Sequence, residues 1–156
     1  MGTNAELYEQ DFYAWSLTTA GLLREGKWYD VDREALAEEI ESLGRSERHA
    51  LESRLEKLLL HLLKWRYQPE RRVRGHSWED TIREQRRRLG RLLSHNPSLR
   101  PTLPTVLDES YPYVRQRVSL QTRLPLAIFP QACPWTVARS SMTVSGLRRR
   151  PPYDAQ

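Results

Sequence analysis

Cysteine, lysine and long apolar runs are scarce in this chain of 156 residues. A lone cysteine, Cys133, excludes a disulfide within the chain and a cysteine-based zinc site. No apolar run approaches the roughly 18 residues of a membrane-spanning helix, and the first residues, MGTNAELYEQD, do not resemble a signal peptide. The seven glycines are scattered, so the chain has no glycine-rich phosphate loop. We therefore expect a cytoplasmic protein with no membrane association and no cofactor.

What the chain does contain is enough apolar material for one domain. Hydrophobic residues make up 38% of it and charged residues 29%, and five Trp and seven Tyr add to a dense supply of Leu. A chain of this length typically forms a single domain.

The positive charge is unevenly distributed. The net charge of +5 resolves into −6 for residues 1–60, +7 for residues 61–100 and +4 for residues 101–156. A basic balance is typical of nucleic-acid-binding proteins. An acidic half and a basic half can equally attract each other within one fold, which weakens that interpretation.

Apolar residues recur at helical spacing along most of the chain. The spacing predicts helices over residues 5–24, 33–67 and 77–93, the second unbroken across Gly44 because its apolar stripe keeps its phase. Asp32 and Ser77 are the expected N-caps of the second and third helices.

Prolines divide the following segment into short helices near 102–110 and 112–122. Residues 124–136 form an apolar extended segment that we expect to pack across the helices. The resulting fold class is all-α: a compact helical bundle built on one long central helix. A single domain spans residues 5–137, and residues 138–156 form a disordered basic tail.

A polar ladder interrupts the apolar stripe of the long helix. Glu47, Arg54 and His61 are spaced by seven residues, and Glu39 or Glu38 is a candidate further ligand. One interpretation is a buried acid–base or metal site. The other is a structural network in which Arg54 pairs with Glu47, and His61 bonds a backbone carbonyl or a tyrosine. We favour the network and predict no metal, because metal sites in bundles usually repeat Glu-x-x-His on two helices and this chain has no such repeat.

A second candidate site is the strongest basic run of the sequence, on the third predicted helix and the linker before it. In a nucleic-acid-binding protein, the arginines of this run would contact phosphates. Acidic residues four positions before Arg83 and Arg88 neutralise part of it, and it has no interleaved aromatics. We therefore favour a solvated face, or a face that docks on the acidic N-terminal half. The candidate residues are Arg71, Arg72, Arg74, Arg83, Arg87 and Arg91.

Several runs closely resemble the domain of unknown function 29 family. They are YEQDFYAW, LAEEIESLGRSERHALESRLEKLLLHLLKWRYQPE, SWEDTIREQRRRL, NPSL and FPQACPWT, in the same order over about residues 6–137. The resemblance implies a compact, mostly helical bacterial protein of a family abundant in cyanobacteria and proteobacteria, and it implies no activity. The family's recurrent positions fall here on Asp11, Trp15, Glu38, Glu39, Leu43, His61, Trp65, Gln68, Pro69, Ser77, Trp78 and Ile82.

The chain departs from this family after CPWT. Members usually continue into a short helix with an apolar, acidic ending, whereas this chain continues VARSSMTVSGLRRRPPYDAQ. So abrupt a switch is typical of a shifted reading frame or a replaced terminus.

The pattern that most favours a function is the helix around Leu59, Leu60 and Leu63, which is apolar on nearly every side. One chain of this size would leave part of that surface uncovered. We therefore expect a non-enzymatic protein–protein interaction module whose partner is another protein or a second copy. The alternatives are nucleic-acid binding through the arginines, and a metal or acid–base site at Glu39, Glu47, Arg54 and His61.

Overall fold

The computed structural model describes residues 2–74, 76–137 and 144–145, with only the backbone described at 73, 74, 76, 137, 144 and 145. The chain divides into two compact units, an N-terminal unit of residues 1–46 and a C-terminal unit of residues 47–156.

The N-terminal unit begins with two short helices, α1 (Asn4–Gln10) and α2 (Phe12–Arg24). Thr3 and Glu6 form a capping box at the start of α1. Asp11 separates the helices, since it has extended backbone and its carboxylate accepts the Ala14 N–H at 2.9 Å. The single helix predicted over residues 5–24 is therefore wrong at this one residue, where a side-chain cap starts a new helix.

The long helix α3 (Arg33–Tyr67) is continuous across Gly44, as predicted. Asp32 caps it by accepting the Ala35 N–H at 3.2 Å, which confirms the expected N-cap. Gly26, between α2 and a 3-10 turn at Trp28–Asp30, has a φ of +71°, where glycine is favoured because it has no Cβ. Residues 33–46 of α3 belong to the N-terminal unit and residues 47–67 to the C-terminal unit.

The C-terminal unit adds α4 (His76–His95) and α5 (Leu103–Thr122), with 3-10 turns at Pro69–Arg74, Pro97–Thr102 and Leu126–Ile128. Its core contains buried side chains from α3, α4 and α5 and from the extended segment, among them Leu51, Leu58, Leu62, Leu89, Leu93, Val106, Tyr111, Val114, Val118, Phe129 and Trp135. The prediction that residues 124–136 pack across the helices is confirmed.

Helices α4 and α5 differ from the sequence predictions. Helix α4 spans His76–His95 where the sequence predicts 77–93, so Ser77 lies inside its first turn. Helix α5 continues through Pro112, where the sequence predicts a break. Pro112 is on the exposed side, and burial of Tyr111, Val114 and Val118 on the opposite face outweighs the hydrogen bond that proline cannot donate.

The predicted all-α class is confirmed. The described residues add a two-residue antiparallel ladder in which β1 (Thr136–Val137) pairs with β2 (Val144–Ser145). Apart from β2, the predicted disordered tail lies outside the described residues. No helix in the described ranges combines the length and apolarity needed to cross a membrane.

Candidate functional site

An open cleft of about 590 Å³ lies in the C-terminal unit. Helix α3 contributes two side chains to its lining and helix α4 most of the others, and Asn96 follows directly after α4. The lining residues are Glu47, Arg54, Arg87, Arg88, Arg91, Leu92, His95 and Asn96. We call this the basic cleft.

Helical periodicity explains why these side chains meet. Glu47 and Arg54 are seven residues apart, so they lie on the same face of α3. Arg88, Arg91 and His95 are separated by three and four residues, so they share one face of α4. The cleft thereby combines two members of the polar ladder with two members of the predicted basic surface, Arg87 and Arg91.

Two arginines of the basic cleft are held by a carboxylate. Arg87 donates to Glu84 from Nε at 2.8 Å and from Nη2 at 2.9 Å, and Arg88 donates from Nε to the same carboxylate. These hydrogen bonds lower the pKa of Glu84 to about 2, so it is ionised at any physiological pH. Glu84 therefore neutralises part of the positive charge of these two guanidinium groups.

The other two arginines have no such partner. Within the described residues, neither Arg54 nor Arg91 forms a hydrogen bond or an ion pair through its guanidinium group. The Nε of Arg54 is also buried, although the side chain as a whole is half-buried. Burying a donor without an acceptor costs free energy, which makes Arg54 the least satisfied side chain of the cleft.

Glu47 does not pair with Arg54, contrary to the structural interpretation of the ladder. Its carboxylate accepts a hydrogen bond from Asn96 Nδ2 at 2.9 Å. Asn96 also donates to the Leu92 carbonyl at 3.0 Å, so it links α3 to the end of α4. The Glu47 carboxylate is therefore bonded to the Asn96 amide, and the Arg54 guanidinium remains without a carboxylate partner.

His61, the third member of the ladder, has cationic surroundings. Its Nδ1 lies 2.8 Å from the Lys57 carbonyl, a position from which the N–H form donates. Burial lowers its pKa, and Lys64, Lys57 and Arg117 lower it further despite that backbone bond. The ring is therefore neutral at neutral pH, and the observed contact is the backbone bond anticipated by the structural interpretation.

Glu39 belongs to the N-terminal unit and has its own partner there. It accepts a hydrogen bond from the Tyr8 hydroxyl at 2.7 Å, and this bond raises the pKa of Tyr8 to about 12. Among the residues that the structure describes, no group of three or more His, Cys, Asp or Glu side chains is placed to hold a metal ion.

Three of the six arginines of the predicted basic surface are engaged in intramolecular contacts. Arg72 donates from Nε to the Trp65 carbonyl at 2.6 Å, and its guanidinium lies 5.1 Å from the centroid of that indole ring. Arg83 contacts Glu79 at 3.3 Å and Asp80 at 3.4 Å. Arg87 contacts Glu84. The guanidinium groups of Arg71 and Arg91 have no partner within the described part of the chain. The side chain of Arg74 is outside the described residues.

A second surface, in the N-terminal unit, is apolar. One pocket of about 260 Å³ is lined by side chains of α2 and the start of α3, including Phe12, Trp15, Leu23, Leu36, Ile40 and Leu43. Another of about 260 Å³ is lined by Leu23, Trp28, Val31, Leu36, Ala37 and Ile40, among others. The two pockets share three lining residues, Leu23, Leu36 and Ile40, and so lie next to each other. We call the two together the N-terminal groove.

Sequence reasoning missed several of the residues that build these surfaces. Arg88 and His95 are three and four residues from Arg91, a spacing that places all three on one face of a helix. The contact of Asn96 with Glu47 joins residues 49 positions apart and leaves no sequence signal. Likewise, helical spacing places Ile40 and Leu43 on the apolar stripe but does not show that they are exposed, at 61% and 70%.

Comparison with known proteins gives one match. Residues 7–142 match a family model described as "Domain of unknown function DUF29". Neither the curated proteins nor the solved structures include a match to the chain. The description of the family names no activity.

Proposed function

We propose that this chain, which belongs to the DUF29 family, is a non-enzymatic protein–protein interaction module that holds a basic amphipathic helix of a partner protein in its N-terminal groove. The observation that carries this proposal is the exposure of large apolar side chains on both walls of the groove.

Apolar exposure is concentrated in the N-terminal unit. Seven of the eleven large hydrophobic side chains exposed in the described residues lie within residues 1–46, and they are Phe12, Tyr13, Leu17, Trp28, Tyr29, Ile40 and Leu43. Four of the seven, Phe12, Trp28, Ile40 and Leu43, line the N-terminal groove, and apolar exposure gathered in one place marks an interaction site. Leu59, Leu60 and Leu63, which the sequence predicts as the interaction surface, are buried in the core of the C-terminal unit. The support for an interaction role therefore comes from a different part of the chain.

The shape of the groove favours a helix as its occupant. Phe12 and Leu23 on α2 face the same depression as Ile40 and Leu43 on α3. Two helices that flank an apolar channel provide the usual receptor for an amphipathic helix, which inserts side chains at positions i, i+3, i+4 and i+7.

Charge favours a basic occupant over a second copy. Residues 1–46 contain ten acidic and four basic residues, a net charge of −6. Glu39 is the carboxylate among the groove's lining residues, and Glu34, Glu38 and Glu41 are exposed farther around α3. Two copies of this unit would bring net negative charges together, whereas Lys and Arg on a partner helix would be attracted to it.

The proposal is tested with a defined peptide. The probe is a fluorescently labelled helix of about 20 residues with Leu at the spacing of one helical face and Lys elsewhere. We expect saturable binding by fluorescence anisotropy. Replacing Ile40 or Leu43 by Asn should weaken it roughly tenfold, because burying one such side chain contributes ~1.5–3 kcal/mol and ~1.4 kcal/mol is a factor of ten. Both side chains are exposed, so these variants should fold normally.

Leu120→Asn is the matched control, since Leu120 is 81% exposed on α5 in the C-terminal unit and should not affect peptide affinity. Equal binding of a peptide with Glu in place of Lys would refute the charge argument. Self-association that the Ile40 and Leu43 variants abolish would make a second copy the occupant instead. Absence of any peptide binding would refute the proposed function.

A further inference from the structure

We infer that the basic cleft of the C-terminal unit is a binding site for a small anion that carries phosphate groups, an oligophosphate or a phosphate ester. This inference is independent of the proposed function, because it concerns other residues in the other unit. A cleft of about 590 Å³ lies within the size range of small-molecule sites.

The unpartnered arginines are the first support. Arg54 and Arg91 line the cleft, and within the described residues neither guanidinium has an acceptor. A phosphate bound in the cleft would give both guanidinium groups an acceptor. Guanidinium groups bind phosphate through paired, charge-assisted hydrogen bonds, which are about twice as strong as neutral ones.

The charge balance of the cleft is the second support. Four arginines line it, and the carboxylates of Glu84 and Glu47 offset two of them. The remaining excess of two positive charges matches a phosphate dianion. Glu84 pairs with both Arg87 and Arg88, so the unpaired positive charge of the cleft comes mainly from Arg54 and Arg91.

The distribution of free cations favours a compact anion over nucleic acid. A nucleic-acid surface needs a track of phosphate-binding residues along its length. Arg72 and Arg83, which would extend such a track, are engaged by Trp65 and by acidic neighbours. Arg71 and the buried Nε of Arg86 also lack an acceptor within the described residues, but of the arginines without one, Arg54 and Arg91 line a single concave site.

The test is isothermal titration of the full chain with inorganic pyrophosphate at low ionic strength. Arg91→Gln should weaken binding about tenfold, in line with the loss of one charge-assisted hydrogen bond. Arg83→Gln is the matched control, since it removes the same charge from the same helix outside the cleft and should change affinity less than twofold. Circular dichroism establishes that each variant is folded.

A second variant is expected to raise the affinity for pyrophosphate. Glu47→Gln removes the carboxylate that lines the cleft, yet its amide oxygen can still accept the Asn96 hydrogen bond. We expect this variant to bind pyrophosphate severalfold more tightly than the unmodified chain. A loss of affinity would contradict the placement of the anion beside Glu47.

Two results would overturn the inference. One is no pyrophosphate binding, or equal weakening by Arg83→Gln and Arg91→Gln, which would indicate diffuse surface attraction. The other is preferential binding of a single-stranded oligonucleotide that both variants weaken equally, which would assign the arginines to a nucleic-acid surface. Neither result affects peptide binding in the N-terminal groove, so the two proposals fail separately.

Discussion

At the scale of single residues, His61 shows how the surroundings of a polar group determine what it can do. It is half-buried, it bonds the Lys57 carbonyl, and the cations Lys57, Lys64 and Arg117 act on it. Burial and these cations lower its pKa, so protonation is harder in the folded chain than in the unfolded chain. As the pH falls below the unfolded value of about 6.5, the unfolded state binds the proton first and folding becomes less favourable.

We therefore expect His61→Gln to make the stability of the chain less dependent on pH. Between about pH 7 and about pH 5, the unmodified chain should lose free energy of unfolding through this histidine. The variant has no group to titrate at this position and should lose less over the same interval. Urea unfolding at the two pH values measures the difference. An identical loss in both proteins would contradict the assignment of a lowered pKa to His61.

At the scale of elements, α5 contains a proline in its interior. Pro112 cannot donate a backbone hydrogen bond to the preceding turn, and its ring crowds that turn. The helix nevertheless continues, because Tyr111, Val114 and Val118 are buried in the core. Tertiary packing therefore overrides a strong local preference at this position.

Pro112→Ala should stabilise the chain. The substitution restores one helical hydrogen bond on an exposed face, which is worth more than the extra entropy that alanine gives the unfolded chain. We expect the free energy of unfolding to rise by about 1–2 kcal/mol. Urea unfolding of the two proteins measures this. A decrease would mean that the ring of Pro112 makes packing contacts of its own.

The elements also show what the sequence can and cannot predict. The periodic stripe predicts α3 to the residue, because its phase persists across Gly44. It fails at Asp11, because one carboxylate bonded to Ala14 N–H divides two helices whose apolar residues stay in phase. Of the basic cleft, the shared face of Arg88, Arg91 and His95 is readable from spacing. The contact between Glu47 and Asn96 depends on tertiary packing.

At the scale of the whole molecule, charge divides with the two units. Residues 1–46 carry a net charge of −6, and residues 47–156 carry +11 from 21 basic and ten acidic residues. The net charge of +5 therefore describes neither surface. The acidic unit exposes an apolar groove and the basic unit a cleft with unpaired arginines, so each is suited to a ligand of opposite charge.

The most direct test of the central claim is residue-resolved NMR of the ¹⁵N-labelled chain titrated with the basic amphipathic peptide. We expect amide shifts at the groove residues of α2 and the start of α3, including Trp15, Leu23, Ile40 and Leu43, and unchanged amides around Arg54 and Arg91. Shifts confined to the C-terminal unit, or no shifts at saturating peptide, would contradict the assignment of the N-terminal groove as the partner-binding surface.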